Sequence, residues 1–61
     1  VTRREMEVLS LIARGATNSE IAAEMVIAET TVKTHVSSLM SKLAARDRVA
    51  LVLFAQRAGI A

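Results

Sequence analysis

The stretch TNSEIAAEMVIAETTVKTHVSSLMSKL, Thr17 to Leu43, contains the pattern that decides the fold. Its second half repeats apolar residues at the spacing of one face of an α-helix, at Val32, Val36, Leu39, Met40 and Leu43. Its first half opens on Thr17 and Asn18, which are favoured at helix N-termini. The helix that they begin would turn three apolar residues inward, namely Ile21, Ala22 and Met25. The stretch therefore predicts a short helix, a tight connection over residues 26–28 and a long helix.

Further helices are predicted on both sides of this unit. Thr2-Arg3-Arg4-Glu5 has the spacing of a capping box, in which Thr2 and Glu5 bind each other's backbone N–H groups. Gly15 can end that first helix, and Asp47 and Gly59 can begin and end the last one. We therefore expect an all-α fold, a compact four-helix bundle with helices at about 3–14, 18–25, 29–43 and 48–57, in one domain over residues 1–61.

The composition excludes several classes of protein. The 61 residues are 52% hydrophobic, yet they include one aromatic residue, Phe54, one His and no Cys. A core of aliphatic side chains suits a helical bundle and disfavours a β-sandwich, and neither a disulfide framework nor a zinc site fits. Without a Gly-rich phosphate loop or room for a pocket, we expect neither a cofactor nor enzymatic activity. The net charge of +2 is compatible with a polyanionic partner but does not require one.

Two features concern the protein to which this chain belongs. The longest apolar run, Val49 to Ala55, is far shorter than the roughly 20 residues of a membrane span. The chain opens on Val1, and no basic segment followed by an apolar stretch marks a signal peptide. We therefore expect a C-terminal fragment of a longer cytoplasmic protein, with no membrane partner.

The outward face of the long helix is unusual for a solvated helix. It carries Thr30, Thr34, Ser37 and Ser41, flanked by Thr31, Lys33, His35, Ser38 and Lys42, with no acid after Glu29. Ser and Thr are mediocre helix formers, so a merely solvated face has no need of them. Close approach to the major groove, about 12 Å wide, does require short side chains and the absence of carboxylates that repel phosphates. This face therefore indicates DNA binding, against the alternative of a solvated face that happens to be rich in Ser and Thr.

Four motifs in order carry a resemblance to a known family: TRREMEVLSLIARG, TNSEIAAEM, TTVKTHVSSLMSKL and RDRVALVLFAQRAGI. Essentially the whole chain resembles the LuxR-type (GerE-like) helix-turn-helix domain at the C-terminus of NarL/FixJ response regulators and quorum-sensing activators. The residues TVKTH, KL and RDRV resemble the response-regulator branch most closely.

The resemblance implies sequence-specific binding of double-stranded DNA by a bacterial transcriptional regulator of a two-component system. The helix at 29–43 would lie in the major groove, and the helix at 48–57 would form a homodimer on an inverted-repeat site. The further partners implied are a missing N-terminal receiver or ligand-sensing domain and RNA polymerase.

The resemblance also assigns residues. Base contacts are expected from Lys33, Thr34, Ser37 and Thr30. Phosphate contacts are expected from Thr17, Asn18, Thr31, His35 and Lys42, although His35 suits a packed imidazole equally well. The dimer interface is expected at Val49, Ala50, Leu53 and Arg57, since an apolar side of the last helix is left over once Leu51, Val52, Ala55 and Ala58 pack on the core.

Three residues depart from the family pattern. Ala28 stands where Ser or Thr usually caps the recognition helix, so we expect that helix to fray at its start. Val26 lies in the turn, where a β-branched residue should resist a positive φ, and Ala44 replaces a common Gly.

Two other functions remain open. The contacts of four arginines remain open as well. One is a helical protein-interaction module without DNA binding, and the other is a promoter-recognition domain of a sigma factor, which usually lacks a fourth helix. We expect the arginines to be solvated or paired with acids rather than on DNA; they are Arg3, Arg4, Arg46 and Arg48, with Glu5, Glu7, Glu20 and Glu24 as the acids.

Overall fold

Four α-helices follow one another in the computed structural model, which describes residues 1–60. They are α1 (Arg3–Ala13), α2 (Asn18–Met25), α3 (Glu29–Lys42) and α4 (Arg48–Arg57), and no strand occurs within the described residues. The predicted all-α bundle is confirmed. The predicted first and third helices are each one residue too long, because Arg14 and Leu43 are the C-caps that follow them.

Side chains cap three of the helices at their N-termini. The Thr2 Oγ1 accepts the Glu5 N–H at 3.1 Å, and the Glu5 Oε1 accepts the Thr2 N–H at 2.8 Å, as the capping box predicts. Thr17 and Glu20 form a second box with the same two distances. Asp47 caps α4 through the Ala50 N–H at 2.9 Å. Each of these helices therefore begins where its local sequence places it.

The four helices also share one kind of C-terminus. At the end of α1, the Gly15 N–H donates to the Ile12 carbonyl and the Ala16 N–H to the Leu11 carbonyl, at 2.9 and 3.1 Å. This is the Schellman motif, which needs a left-handed residue, and Gly15 has φ 87°. The same pair of bonds closes the other helices around three further left-handed residues, Val26, Ala44 and Gly59.

Val26 adopts the positive φ that a β-branched residue should resist. Val26 has φ 56° and ψ 51°, in the left-handed region. The next residue gives the physical reason: the Ile27 N–H bonds to the Ala22 carbonyl at 3.0 Å, and the Ile27 side chain packs against the core. The closing bond and the burial of Ile27 outweigh the strain at Val26.

One core joins all four helices. Its buried apolar side chains are Val8, Leu9, Ile12, Ile21, Ala22, Val32, Val36, Leu39, Leu51 and Ala55. α1 packs against α3 and α4, and α2 packs against α3, so the apolar stripe of α3 is covered from two sides. Ala58, expected in the core, is exposed because it lies beyond the last turn of α4 as its C-cap.

Within residues 1–60, none of the helices is both long enough and apolar enough to span a bilayer.

Candidate nucleic-acid interface

The short helix and the long helix are joined as the sequence predicts. α2 ends at Met25 and α3 begins at Glu29, which leaves a three-residue connection. On α3, Val32, Val36 and Leu39 are buried against the other helices. The opposite side of α3 therefore faces solvent, in the arrangement of a helix-turn-helix.

The residues expected to contact bases lie together on that solvent-facing side. Thr30, Lys33, Thr34 and Ser37 are all exposed, and Ser41 continues the row. The Thr34 hydroxyl donates to the Thr30 carbonyl at 3.1 Å, which commits its proton to the backbone and leaves its oxygen able to accept. Among residues 1–60, Lys33 has no ion-pair partner, so its ammonium is available to a ligand.

The start of α2 brings together Thr17 and Asn18, both expected to contact phosphates. The guanidinium of Arg48 donates to Asn18 Oδ1 and to the Ala16 carbonyl, each at 2.6 Å. An arginine can only donate, so the Asn18 oxygen faces it and the Asn18 NH₂ group remains available. Arg48 was expected to be solvated or paired with an acid; instead it joins α4 to the loop before α2, because a carbonyl and an amide oxygen lie within reach.

The start of α3 is closed by backbone alone. Within residues 1–60, no side chain caps this helix, and Ala28 occupies the N-cap position. The Ala28 carbonyl nevertheless accepts the Thr31 and Val32 N–H groups at 3.0 and 3.2 Å, so that the helix begins at Glu29. Thr31 is exposed in this first turn, where uncapped N–H groups favour an anion.

The two flanking residues His35 and Lys42 have different surroundings. His35 is half-buried beside the apolar stripe. Lys42 is exposed along part of its length, but its Nζ lies 2.8 Å from Glu5 Oε1, in the one salt bridge found within residues 1–60. Glu5 therefore pairs with a lysine of α3 and with none of the four arginines considered above.

The environment of Glu5 was not predicted from the sequence. It is 4% exposed, and besides closing the capping box it accepts hydrogen bonds from Lys42 and from the Ser38 hydroxyl. The Lys42 ammonium, followed by the Ser38 hydroxyl and the Thr2 N–H, holds the pKa of Glu5 well below its usual range, although burial acts in the opposite direction. The i, i+4 spacing of Ser38 and Lys42 places both on one flank of α3, but nothing in the sequence links that flank to Glu5.

The predicted dimer residues lie on an exposed side of α4. Val49 is 66% exposed and Leu53 45% exposed, while Arg57 is exposed and Ala50 half-buried. Phe54, 41% exposed, extends this apolar surface and was expected only at its boundary. A shallow groove between α4 and the connection that follows α3 includes Ala50, Leu53, Phe54 and Arg57 among its lining residues.

Comparisons with known proteins agree with this arrangement. Residues 1–55 match the family described as "Bacterial regulatory proteins, luxR family". The chain is 56% identical over 55 residues to "Uncharacterized transcriptional regulatory protein YhcZ" of Bacillus subtilis. It is 47% identical over 57 residues to "Transcriptional regulatory protein LiaR" of Bacillus subtilis, and 53% identical over 55 residues to "Response regulator protein VraR" of Staphylococcus aureus.

The alignments differ in how much of each protein they cover. They include 90%, 93% and 90% of this chain, but only 26%, 27% and 26% of YhcZ, LiaR and VraR. The chain thus spans about a quarter of the length of these relatives. The resemblance drawn from the four motifs is confirmed, as is the expectation of a regulatory rather than an enzymatic domain. The chain belongs to the luxR family of bacterial regulatory proteins.

Proposed function

We propose that this domain binds double-stranded DNA sequence-specifically, with α3 as the recognition helix in the major groove. The observation that carries the proposal is the exposed row on α3, which holds Lys33 and four small hydroxyl residues and contains no acid after Glu29. Short side chains let the backbone of α3 approach the base edges, and the absence of carboxylates avoids repulsion from phosphates. Burial of the apolar stripe on the other side of α3 keeps this row on the surface.

Four residues of α3 are assigned to base contacts. Lys33 can donate to the O6 and N7 acceptors of guanine. The Thr34 hydroxyl donates its proton to the Thr30 carbonyl, so its oxygen can accept a hydrogen bond from a base. The methyl group of Thr34 can pack on thymine. Ser37 and Thr30 are short, exposed hydroxyl residues on the same row, and they are assigned to base edges directly or through water.

Phosphate contacts are assigned to residues on both sides of that row. Asn18 has its NH₂ group available and Thr17 is exposed at the start of α2, while Thr31 lies beside the uncapped N-terminus of α3. His35 is assigned to a phosphate from its half-buried place on the flank. These contacts would fix the register of α3 on the duplex without reading sequence.

The surface of α4 supports a dimer on DNA. In a domain of 61 residues, the exposed Val49, Leu53 and Phe54 form an apolar patch whose burial a second copy would provide. Pairing across a two-fold axis presents two recognition helices to one side of the duplex. The expected site is an inverted repeat whose half-sites lie about one helical turn apart.

The longer protein is proposed to be a response regulator that controls transcription. VraR is named a response regulator, and YhcZ and LiaR are named transcriptional regulatory proteins. In this proposal the remainder of the chain supplies a receiver or ligand-sensing domain, and the cytoplasmic, DNA-bound dimer acts on RNA polymerase.

The experiment that tests the proposed function is selection of binding sites followed by mapping of the bound surface. Duplexes bound by the domain are enriched from a random pool, and the enriched duplex is added to ¹⁵N-labelled protein. We expect an inverted repeat and amide shifts concentrated on α3 and at the start of α2. Failure to enrich any sequence, with no amide shifts on α3 when the random pool is added, would instead support a protein-interaction module.

A further inference from the structure

One buried carboxylate links the start of the chain to the recognition helix. Glu5 Oε1 accepts the Thr2 N–H and the Lys42 ammonium, both at 2.8 Å, and Glu5 Oε2 accepts the Ser38 hydroxyl. Glu5 is the buried charged residue among those described, at 4% exposed. Its partners on α3 are separated from it by 33 and 37 residues along the chain.

The capping box explains only one of these contacts. A box needs the carboxylate to accept the Thr2 N–H, and Glu20 does the same for Thr17 at an exposed site with no further partner among residues 1–60. Glu5 has two additional donors, and both belong to one flank of α3. The contacts with Ser38 and Lys42 are therefore not needed to cap the N-terminus of α1.

The geometry restricts how α3 can rotate. Ser38 and Lys42 are four residues apart, about one turn, so they hold α3 at two heights along its axis. Turning or sliding α3 would leave a buried carboxylate without its donors, which is strongly unfavourable. Ser37 and Ser41, next to these two residues in the chain, lie on the exposed side. The contacts of Ser38 and Lys42 with the Glu5 carboxylate therefore fix the direction in which the exposed row faces.

We infer that Glu5, Ser38 and Lys42 are positioning residues that fix the orientation of the recognition helix on α1, and that the charge of Lys42 serves Glu5 rather than a DNA phosphate. The part of this inference that concerns DNA rests on the proposed function. It differs from the phosphate contact that the family resemblance implies for Lys42.

The variant Glu5→Gln distinguishes a positioning role of Lys42 from a phosphate contact by its effect on the selectivity of DNA binding. Gln keeps one oxygen for the Thr2 N–H and Lys42, but it removes the negative charge and replaces the Ser38 acceptor by an NH₂ group, so that Lys42 is held more weakly. If Lys42 positions α3, the ratio of affinities for the selected duplex and a scrambled duplex falls about threefold to tenfold. If Lys42 is a phosphate contact, its less neutralised ammonium tightens binding to both duplexes and steepens the salt dependence, and the ratio of affinities stays unchanged. The second result would overturn the inference.

Ser38→Ala provides a milder variant without a change in charge. We expect it to lower the same ratio while affinity for the scrambled duplex stays constant, and we expect Ser38→Thr, which keeps the hydroxyl, to restore the ratio. An unchanged ratio in Ser38→Ala would contradict the assignment of Ser38.

A measurement without DNA keeps this inference separate from the proposed function. Residual dipolar couplings report the angle between α1 and α3 in the free protein. We expect the angle to change in Glu5→Gln and in Ser38→Ala but not in Ser41→Ala, a matched change at an exposed serine of α3. Identical couplings in all variants would overturn the positioning role even if the wild type binds DNA selectively. Altered couplings with no selective DNA binding would contradict the proposed function alone.

Discussion

Val26 has a left-handed backbone conformation that a β-branched residue disfavours. It is β-branched, left-handed and 88% exposed, so its side chain gains little from packing. We expect Val26→Gly to raise the free energy of unfolding by about 0.5 to 1 kcal/mol, since relief of left-handed strain exceeds the entropy that Gly adds to the unfolded chain. Urea unfolding followed by circular dichroism measures the change.

The matched control for this prediction is Ala23→Gly. Ala23 is exposed within α2, in helical conformation, so the same new residue should lower the free energy of unfolding by about 1 kcal/mol there. Equal losses in both variants would show that Val26 is not strained.

Lys33 has the most specific role in the proposed recognition of DNA bases. We expect Lys33→Ala to weaken binding to the selected duplex by about 1 to 3 kcal/mol and to relax preference at one base pair, because a bidentate contact to guanine is lost. Competition with duplexes changed at single positions measures both effects. Arg4→Ala removes the same charge from α1; if it relaxed the same base pair, the assignment of Lys33 would fail.

Residues that act locally were predictable, and residues that act across the fold were not. The caps at Thr2, Thr17 and Asp47 depend on partners three residues away, so the sequence contains their signal. The partners of Glu5 lie on another helix, and no spacing in the chain brings them together. Arg48 was misassigned for the same reason, since its acceptors are Asn18 and the Ala16 carbonyl.

At the scale of elements, α3 differs from its neighbours in its N-terminus. Within residues 1–60 it has no side-chain cap, whereas Thr2, Thr17 and Asp47 cap the other helices. We expect Ala28→Ser to raise the free energy of unfolding by about 1 kcal/mol, because a hydroxyl would accept an N–H group of the first turn. Thermal and urea unfolding measure the gain.

The converse change at α4 calibrates that prediction. Asp47→Ala removes an existing cap, so it should lower the free energy of unfolding by about 1 kcal/mol. If Asp47→Ala has this effect and Ala28→Ser has none, the first turn of α3 is already satisfied in some other way.

The number, order and bounds of the helices were predictable from caps and periodicity. The two errors in length occur at C-termini, at Arg14 and Leu43, where a left-handed residue ends the helix one position later. The left-handed conformation of Gly15 was predictable because Gly favours it. The same conformation at Val26 and Ala44 was not, because it depends on a hydrogen bond made by the residue that follows.

At the scale of the whole molecule, Glu5 makes stability depend on pH. Its folded pKa is depressed, so the folded state binds fewer protons than the unfolded chain, whose Glu pKa is about 4.3. The stabilisation is present above that value and is lost as the pH falls below it. Urea unfolding from pH 6 to pH 2 should show this loss in the wild type and a smaller loss in Lys42→Met, which lacks the largest cause of the shift. Parallel curves for the wild type and Lys42→Met would contradict the proposed effect of Lys42 on the pKa of Glu5.

The apolar surface of α4 predicts how two copies assemble. Leu53 is 45% exposed, so Leu53→Glu should change the free energy of unfolding by no more than about 0.5 kcal/mol. We expect its affinity for an inverted repeat to fall to that for a single half-site, since the second copy is no longer held. Fluorescence anisotropy on both duplexes measures this, with Met6→Glu as the control at a comparably exposed residue of α1. If both variants bind the repeat as the wild type does, α4 is not the dimer surface.

The proposed function requires the exposed row of α3 to recognise DNA sequence. Titration of one labelled duplex that contains the selected inverted repeat and one with the same bases scrambled, at three salt concentrations, tests it most directly. We expect the selected duplex to bind at least about 100-fold more tightly than the scrambled one, and both affinities to fall as salt increases. Equal affinities for the two duplexes, insensitive to salt, would contradict the proposed function.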